Sequence, residues 1–306
     1  MSLTDKINAL TAYANGVTGE SDTTLSEAVH TLADGYGQGG GDGIWNTIVD
    51  RTVTEVNDKD GLCKAVGDYA FYHCTSLTSA IFPSVTSIGL WGFYECTNLA
   101  TADFPSATTI GEEAFRNCAL VDINFPRVTS AGARAFFGCR VLPSIDMPLL
   151  KSVPFGFCQN TIELVSARFP SATDVANQSF SGCAKLSSVD LSSATTLNNG
   201  TFSNCSVLAV VDLPNVASIL TYVFSGCGAL KSLVLRKSDA ICTLSSTNAF
   251  NNTPIKSGTG YIYVPSALIE TYKTATNWST YAAQFRALED YTVDGTTTGD
   301  LDPNKI

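Results

Sequence analysis

The sequence predicts an α/β-repeat solenoid, a right-handed coil of about eight 22-residue turns with a parallel β ladder, a small helical N-terminal segment and a strand/helix cap at the C-terminal end. Three observations predict it. A leucine recurs as Leu77, Leu99, Leu120, Leu142, Leu164, Leu186, Leu208 and Leu230, in steps of 22, 21, 22, 22, 22, 22 and 22. Five residues after each stands another apolar residue, from Phe82 to Leu235, followed by proline in six of the eight copies. Before each leucine most copies carry an aromatic and, three residues on, a cysteine, as in "AFYHCTSL" and "GFYECTNL". Self-similarity at so fixed a period marks a repeat architecture.

Each element of the unit follows from its residues. The pattern L-x-x-φ-x-φ-P, as in "LATADFP", alternates apolar and polar residues, which marks a short strand with one buried face. Proline then ends the strand. A turn leads to "TSIG" or "TTIG", where Ile88 or Ile110 points inward again. A half-turn carries the aromatic and the cysteine. One such unit cannot bury its apolar face alone, but stacked neighbours can, with strands about 4.8 Å apart. Two copies depart from the pattern. The third lacks a residue between Cys118 and Leu120, hence the step of 21. In the fifth, "VPFGFCQNTIEL", counting places Cys158 at the aromatic position and Thr161 at the cysteine position. Phe155 or Phe157 is then the candidate to fill the aromatic slot through a local bulge. This coil is expected to be the weak point of the array.

The recurring cysteines, Cys74, Cys96, Cys118, Cys139, Cys183, Cys205 and Cys227, read as a ladder of buried free thiols. A thiol just past a turn can reach a backbone carbonyl of the neighbouring coil. Disulfides fit less well, because in-register side chains point in parallel and seven cannot pair completely. Zinc is weaker still: no CxxC occurs. Cys63, Cys158 and Cys242 lie outside the ladder.

The motif I-G-x-x-A-F-x-x-C-x-x-L-x-x-φ-x-φ-P, seen in "IGEEAFRNC" and "LSSVDL", resembles the BspA-type leucine-rich repeat family, also known from Treponema surface proteins. The resemblance covers roughly residues 62–264. The segment "YIYVPSALIETYKTATNWSTYAAQF" is similar to the family's usual C-terminal end, where a last strand passes into a short helical cap. The resemblance implies a leucine-rich-repeat solenoid used for adhesion and for protein or glycan contact, without catalytic activity.

The expected layout is an N-terminal helical attachment segment (1–34), a Gly-rich linker (35–43), the solenoid with its N-terminal cap (44–264), a C-terminal helical cap (265–290) and a flexible acidic tail (291–306). Leu3, Ile7, Leu10 and Ala14, then Leu25, Val29 and Leu32, fall at helical spacing. "GYGQGG" matches G-x-G-x-x-G literally, but a helical pattern precedes it and the strand-like "IWNTIVD" follows, so it reads as linker. The stretch "DTTLSEAVHTLADGYGQGG" is similar to a leader of Firmicutes phage structural proteins, which implies an attachment module ahead of a display domain.

The remaining signals narrow the function. The formal net charge of -10 argues against a nucleic-acid partner. The N-terminus "MSLTDKINAL" has no apolar signal-peptide core and no run of about 18 apolar residues occurs, so synthesis and folding in the cytoplasm, without membrane insertion, are expected. The chain has two histidines, and the place of His73 is taken in sister copies by Glu95, Asn117 and Gly138, which speaks against a Cys–His catalytic pair. No catalytic residue, metal site or cofactor is predicted. The expected function is recognition or adhesion from a phage virion, binding a host-surface protein or glycan. The alternatives are a bacterial adhesin and a structural spacer or assembly subunit. Residues 1–34 are expected to dock on a virion or envelope protein, and a homo-oligomer is compatible with this. The candidate ligand-binding residues are Asp103, Asp146, Arg168, Asp190 and Asp212, one row of the exposed strand face. Asp190 and Asp212 are expected to stack as like charges that repel one another, and reversing both is expected to weaken binding to the target cell while leaving stability nearly intact.

Overall fold

The computed structural model describes residues 53–58, 61, 63–290, 292–293 and 296–297. The expected helical segment, the Gly-rich linker and most of the N-terminal cap lie outside the described residues. The described residues fall into two compact units, divided between Phe136 and Phe137.

In the first unit the strands Glu55–Asn57, Ser79–Ile81, Thr101–Asp103 and Asp122–Asn124 pair in parallel as one wall. The two-residue strands Ala65–Val66, Ser87–Ile88, Thr109–Ile110 and Ser130–Ala131 form a second wall. Register is one repeat per step: Ala80 faces Ala102, and Ala102 faces Ile123 across the short step. The second unit repeats the plan. Ser144–Asp146, Ser166–Arg168 and Ser188–Asp190 form one sheet. Val210–Leu213, Ser232–Leu235, Tyr261–Val264 and Phe285–Ala287 form the next. Its two-residue wall runs from Ser152–Val153 to Thr243–Leu244. The recurring leucines are completely buried in both units, as the one-sided alternation of their strands requires. These parallel ladders make the chain an α/β-repeat solenoid.

A third layer of bonding runs through the turns. Each of the eight repeats holds two residues in the left-handed region, four apart, such as Trp91 (φ 54°) and Glu95 (φ 55°), and the turn of Phe250 keeps only the second, Asn252 (φ 57°). Between them the backbone alternates. Trp91, Phe93 and Glu95 donate their N–H groups to the next coil, on Glu112, Ala114 and Arg116, at 3.0, 2.8 and 2.8 Å. Tyr94 and Cys96 donate within their own coil instead. All backbone donors of this turn are thereby satisfied. The aromatic between the two left-handed residues points inward. Phe71, Phe93, Phe115 and Phe136 stack at 4.8, 5.1 and 5.4 Å, and Phe180, Phe202, Phe224 and Phe250 at 5.5, 5.7 and 5.6 Å.

The fifth coil corrects an expectation. It has no bulge: Gly156 and Asn160 take the two left-handed positions at the ordinary spacing. Cys158 sits in the aromatic's slot and Phe157 in the slot before it, where sister coils place Ala114, Ala135, Ser179 or Thr201. Both are completely buried, and Phe157 meets Phe169 at 5.8 Å. Large and small have exchanged places, which keeps the core volume. Phe155 is only half-buried.

All ten cysteines are free, and all but Cys63 are buried. Each ladder thiol with a described partner donates to the carbonyl of the preceding coil's aromatic slot. Cys96 reaches Phe71 O and Cys118 reaches Phe93 O, both at 3.0 Å. Cys183 reaches Cys158 O at 3.1 Å, Cys205 Phe180 O at 3.2 Å and Cys227 Phe202 O at 3.0 Å. That carbonyl already accepts the Cys N–H of its own coil, 3.1 Å from Cys74 to Phe71. Thr161 is completely buried in the vacant cysteine slot.

The cap is closed by aromatics with polar tips. The Trp278 indole donates to Cys242 O, the Tyr272 hydroxyl accepts the Cys242 N–H, and the Tyr281 hydroxyl donates to Thr247 O, each at 2.7 Å. Cys242 is thus the seat of the cap. Within the stretch expected as an acidic tail, Thr292–Val293 and Thr296–Thr297 pair antiparallel.

Two predictions follow from this packing. Phe157→Ala should destabilise by about 3–5 kcal/mol, the usual loss for a buried phenylalanine. The double variant F157A/C158F restores the sister coils' order and should recover most of the loss in chemical denaturation. A double variant no better than the single would mean the fifth coil needs its own order.

The thiols predict a pH dependence. Burial pushes Cys183 and Cys242 up from 9.0 to about 12. Their neutral form is favoured in the fold, so this stabilisation is complete below pH 9 and is lost as pH rises through 12. Urea midpoints should therefore fall steadily across that window, and native labelling at pH 8 should modify Cys63 and spare the other nine.

Candidate recognition surface

The three-residue strands alternate between core and solvent, so two rows of side chains stand outward on each wall. Asp103 is in the first unit, where it accepts a hydrogen bond from Asn124 Nδ2 at 2.8 Å. The other four predicted residues lie in the second unit. Arg168 is in register with Asp146 on one side and Asp190 on the other. Its guanidinium bridges both, with Nη1 3.3 Å from Asp146 Oδ1 and Nε 3.4 Å from Asp190 Oδ2. Asp190 Oδ1 also accepts the Ser192 N–H at 3.1 Å. Asp146 and Arg168 are well exposed, at 57% and 47% of their side-chain surface. Such a pair contributes little to stability.

Asp212 differs. Its register partner is Val234, which is completely buried although its place in the repeat belongs to the outward row. The carboxylate turns to Arg236, whose Nε lies 2.9 Å from both oxygens. Arg236 Nη2 is 2.8 Å from Asp212 Oδ2, at an angle that makes no hydrogen bond. This pair is only 18–19% exposed. The picture of Asp190 and Asp212 as stacked, unrelieved carboxylates is therefore corrected: each is held by an arginine of its own chain. Arg236 is the residue that sequence reasoning missed. It stands where six sister copies carry proline, and that departure was the available signal.

The surface is thus a polar wall on rigid strands, striped with self-neutralised charge and bordered by serine and threonine hydroxyls. Among the described residues no group of three His, Cys, Asp or Glu side chains is placed to hold a metal. Among them, too, no helix is long and apolar enough to cross a membrane.

The family described as the BspA type leucine rich repeat region matches residues 64–175 and 151–275, in six copies. The chain belongs to the BspA-type leucine-rich repeat family. No curated protein sequence matches the chain. Solved structures similar to this BspA-type chain include a leucine rich cell surface protein from Faecalibacterium prausnitzii A2-165, 20% identical, covering 76% of each chain with a TM-score of 0.39. A leucine-rich repeat protein from Bacteroides ovatus is 20% identical over 78% of this chain and 84% of that one, with a TM-score of 0.36. The leucine rich repeat protein of T. pallidum is 28% identical over 58% and 72%, with a TM-score of 0.43. The match to the phage leader finds no counterpart in these comparisons.

The two arginine pairs separate in a mutational test. Asp146→Lys should change stability by less than about 1 kcal/mol. Asp212→Lys leaves the half-buried Arg236 facing a second cation and should cost roughly 1.5–3 kcal/mol. Equal denaturation midpoints for the two variants would show that the Asp212–Arg236 pair carries no weight.

Proposed function

We propose that this BspA-type chain is a non-enzymatic recognition protein that adheres to a host-surface protein or glycan from the outside of a virion or cell. The observation that carries the reading is the repeated outward wall: rigid strands present polar side chains at a fixed spacing, on a fold whose family serves protein binding and adhesion. Residues 1–34 would supply attachment, with the Gly-rich stretch 35–43 as linker, and display on a phage virion is the version that the N-terminal resemblance favours. The internal neutralisation of the wall favours a second reading, in which the solenoid is a spacer.

Fractionation of a producing culture tests the display. The chain should sediment with virus particles or with the cell envelope, and a version starting at Ile44 should be lost from that fraction while keeping its melting temperature. Full retention of the shortened chain would sink the docking role of residues 1–34. Purified protein should also coat target cells, and a solenoid that coats none would leave the spacer reading.

A further inference from the structure

The first left-handed position of the turn is conformationally strained for any residue but glycine, since Cβ crowds the following carbonyl at about 1–2 kcal/mol per residue. The second unit often avoids this with Gly156 and Gly200. Six of the eight coils carry another residue there all the same, so the strain alone marks no site; two of the six are the neighbours Tyr69 (φ 60°) and Trp91 (φ 54°).

What these two residues build is a ridge of rings outside the core. Tyr69 meets Trp91 edge-on at 5.2 Å. Tyr72 stacks on Tyr94 at 5.2 Å and on Trp91 at 5.8 Å. All four are only part-buried. The core does not depend on them, because the inward Phe71 and Phe93 already stack at 4.8 Å. The ridge is therefore a second aromatic layer, facing solvent, and it is made of Trp and Tyr, two of the residues that dominate binding energy at protein interfaces. Its charge points to the partner. Asp68 and Glu112 are exposed beside it, and Glu95 is part-exposed 3.3 Å from His73. The chain's own Arg116 guanidinium rests 5.6 Å over the Tyr94 ring, which shows how a cation seats on this cluster.

We propose that the ridge formed by Tyr69, Tyr72, Trp91 and Tyr94 is the docking site for an arginine- and lysine-bearing segment of a partner protein. Partner cations lie over the rings and find carboxylates at the rim. This deepens the recognition reading, and rests on it, by naming a surface other than the strand wall and a partner class.

The full chain is titrated by calorimetry with a ten-residue peptide of alternating arginine and glycine, and with chitotetraose as the sugar probe. The wild type should bind the peptide and not the sugar. Trp91→Gly should fold normally, since sister coils carry glycine in that slot, and should bind the peptide at least tenfold more weakly. Trp91→Gly removes no charge, so a general attraction of an acidic chain for a polycation would survive it. Tyr222→Gly, in the same slot of the second unit (φ 60°), should bind as the wild type does. Unchanged peptide affinity in W91G overturns the proposal. So does sugar binding lost in W91G without peptide binding, which would make the ridge a glycan site. Coating of target cells by the wild type reports separately on the recognition reading, so a failed ridge and a failed adhesin give different results.

Discussion

The described solenoid depends on one constraint: coils pair in parallel and in register, so a strand side chain's neighbour is its own counterpart one repeat away. Like is placed on like. For a phenylalanine this is favourable, and the rings lie within 3–13° of parallel along each described stack. For a thiol it is tolerable, because a neutral S–H can turn to a carbonyl. For a carboxylate it is not. The outward rows meet the constraint by alternating sign or by substituting an amide: Asp146, Arg168, Asp190 in one place, Asp103 and Asn124 in another.

The same constraint decides how much of the structure could be read from the chain. Period, strand pattern and inward leucines were legible because each is repeated, and a repeated signal overrides local noise. Cys96, Cys118, Cys183, Cys205 and Cys227 lie where their spacing put them. What escaped is what breaks the repeat. Phe157 and Cys158 exchange places, and a pattern reader sees a lost aromatic where the core sees an unchanged volume. Arg236 takes a proline's place and claims Asp212, a contact between positions that do not align in the repeat. Tyr69 and Trp91 look like ordinary variation at a turn, because backbone dihedral angles leave no mark in composition. Of the candidate surface, the rows were legible and their internal pairing was not.

An array bonded only to its neighbours needs an ending, since the last coil has carbonyls and N–H groups with no next coil to meet. Here the ending uses aromatic residues that are apolar along the ring and polar at the tip. Trp278, Tyr272 and Tyr281 cover the core and at the same time satisfy Cys242 and Thr247. A purely aliphatic lid would bury those backbone groups without partners, at about 1–3 kcal/mol each.

The thiol bond to the preceding aromatic carbonyl always spans 25 residues wherever it is described, and it involves no other part of the chain. It is blind to position: no such bond records whether its coil is the second or the seventh. A stretch of coding sequence one repeat long can therefore be duplicated or excised by unequal recombination, and every surviving thiol finds a carbonyl at the same distance. The cap, with its contacts to Cys242 and Thr247, is the part that cannot be copied inward. Selection on such a gene can change reach by whole coils long before it has to change chemistry.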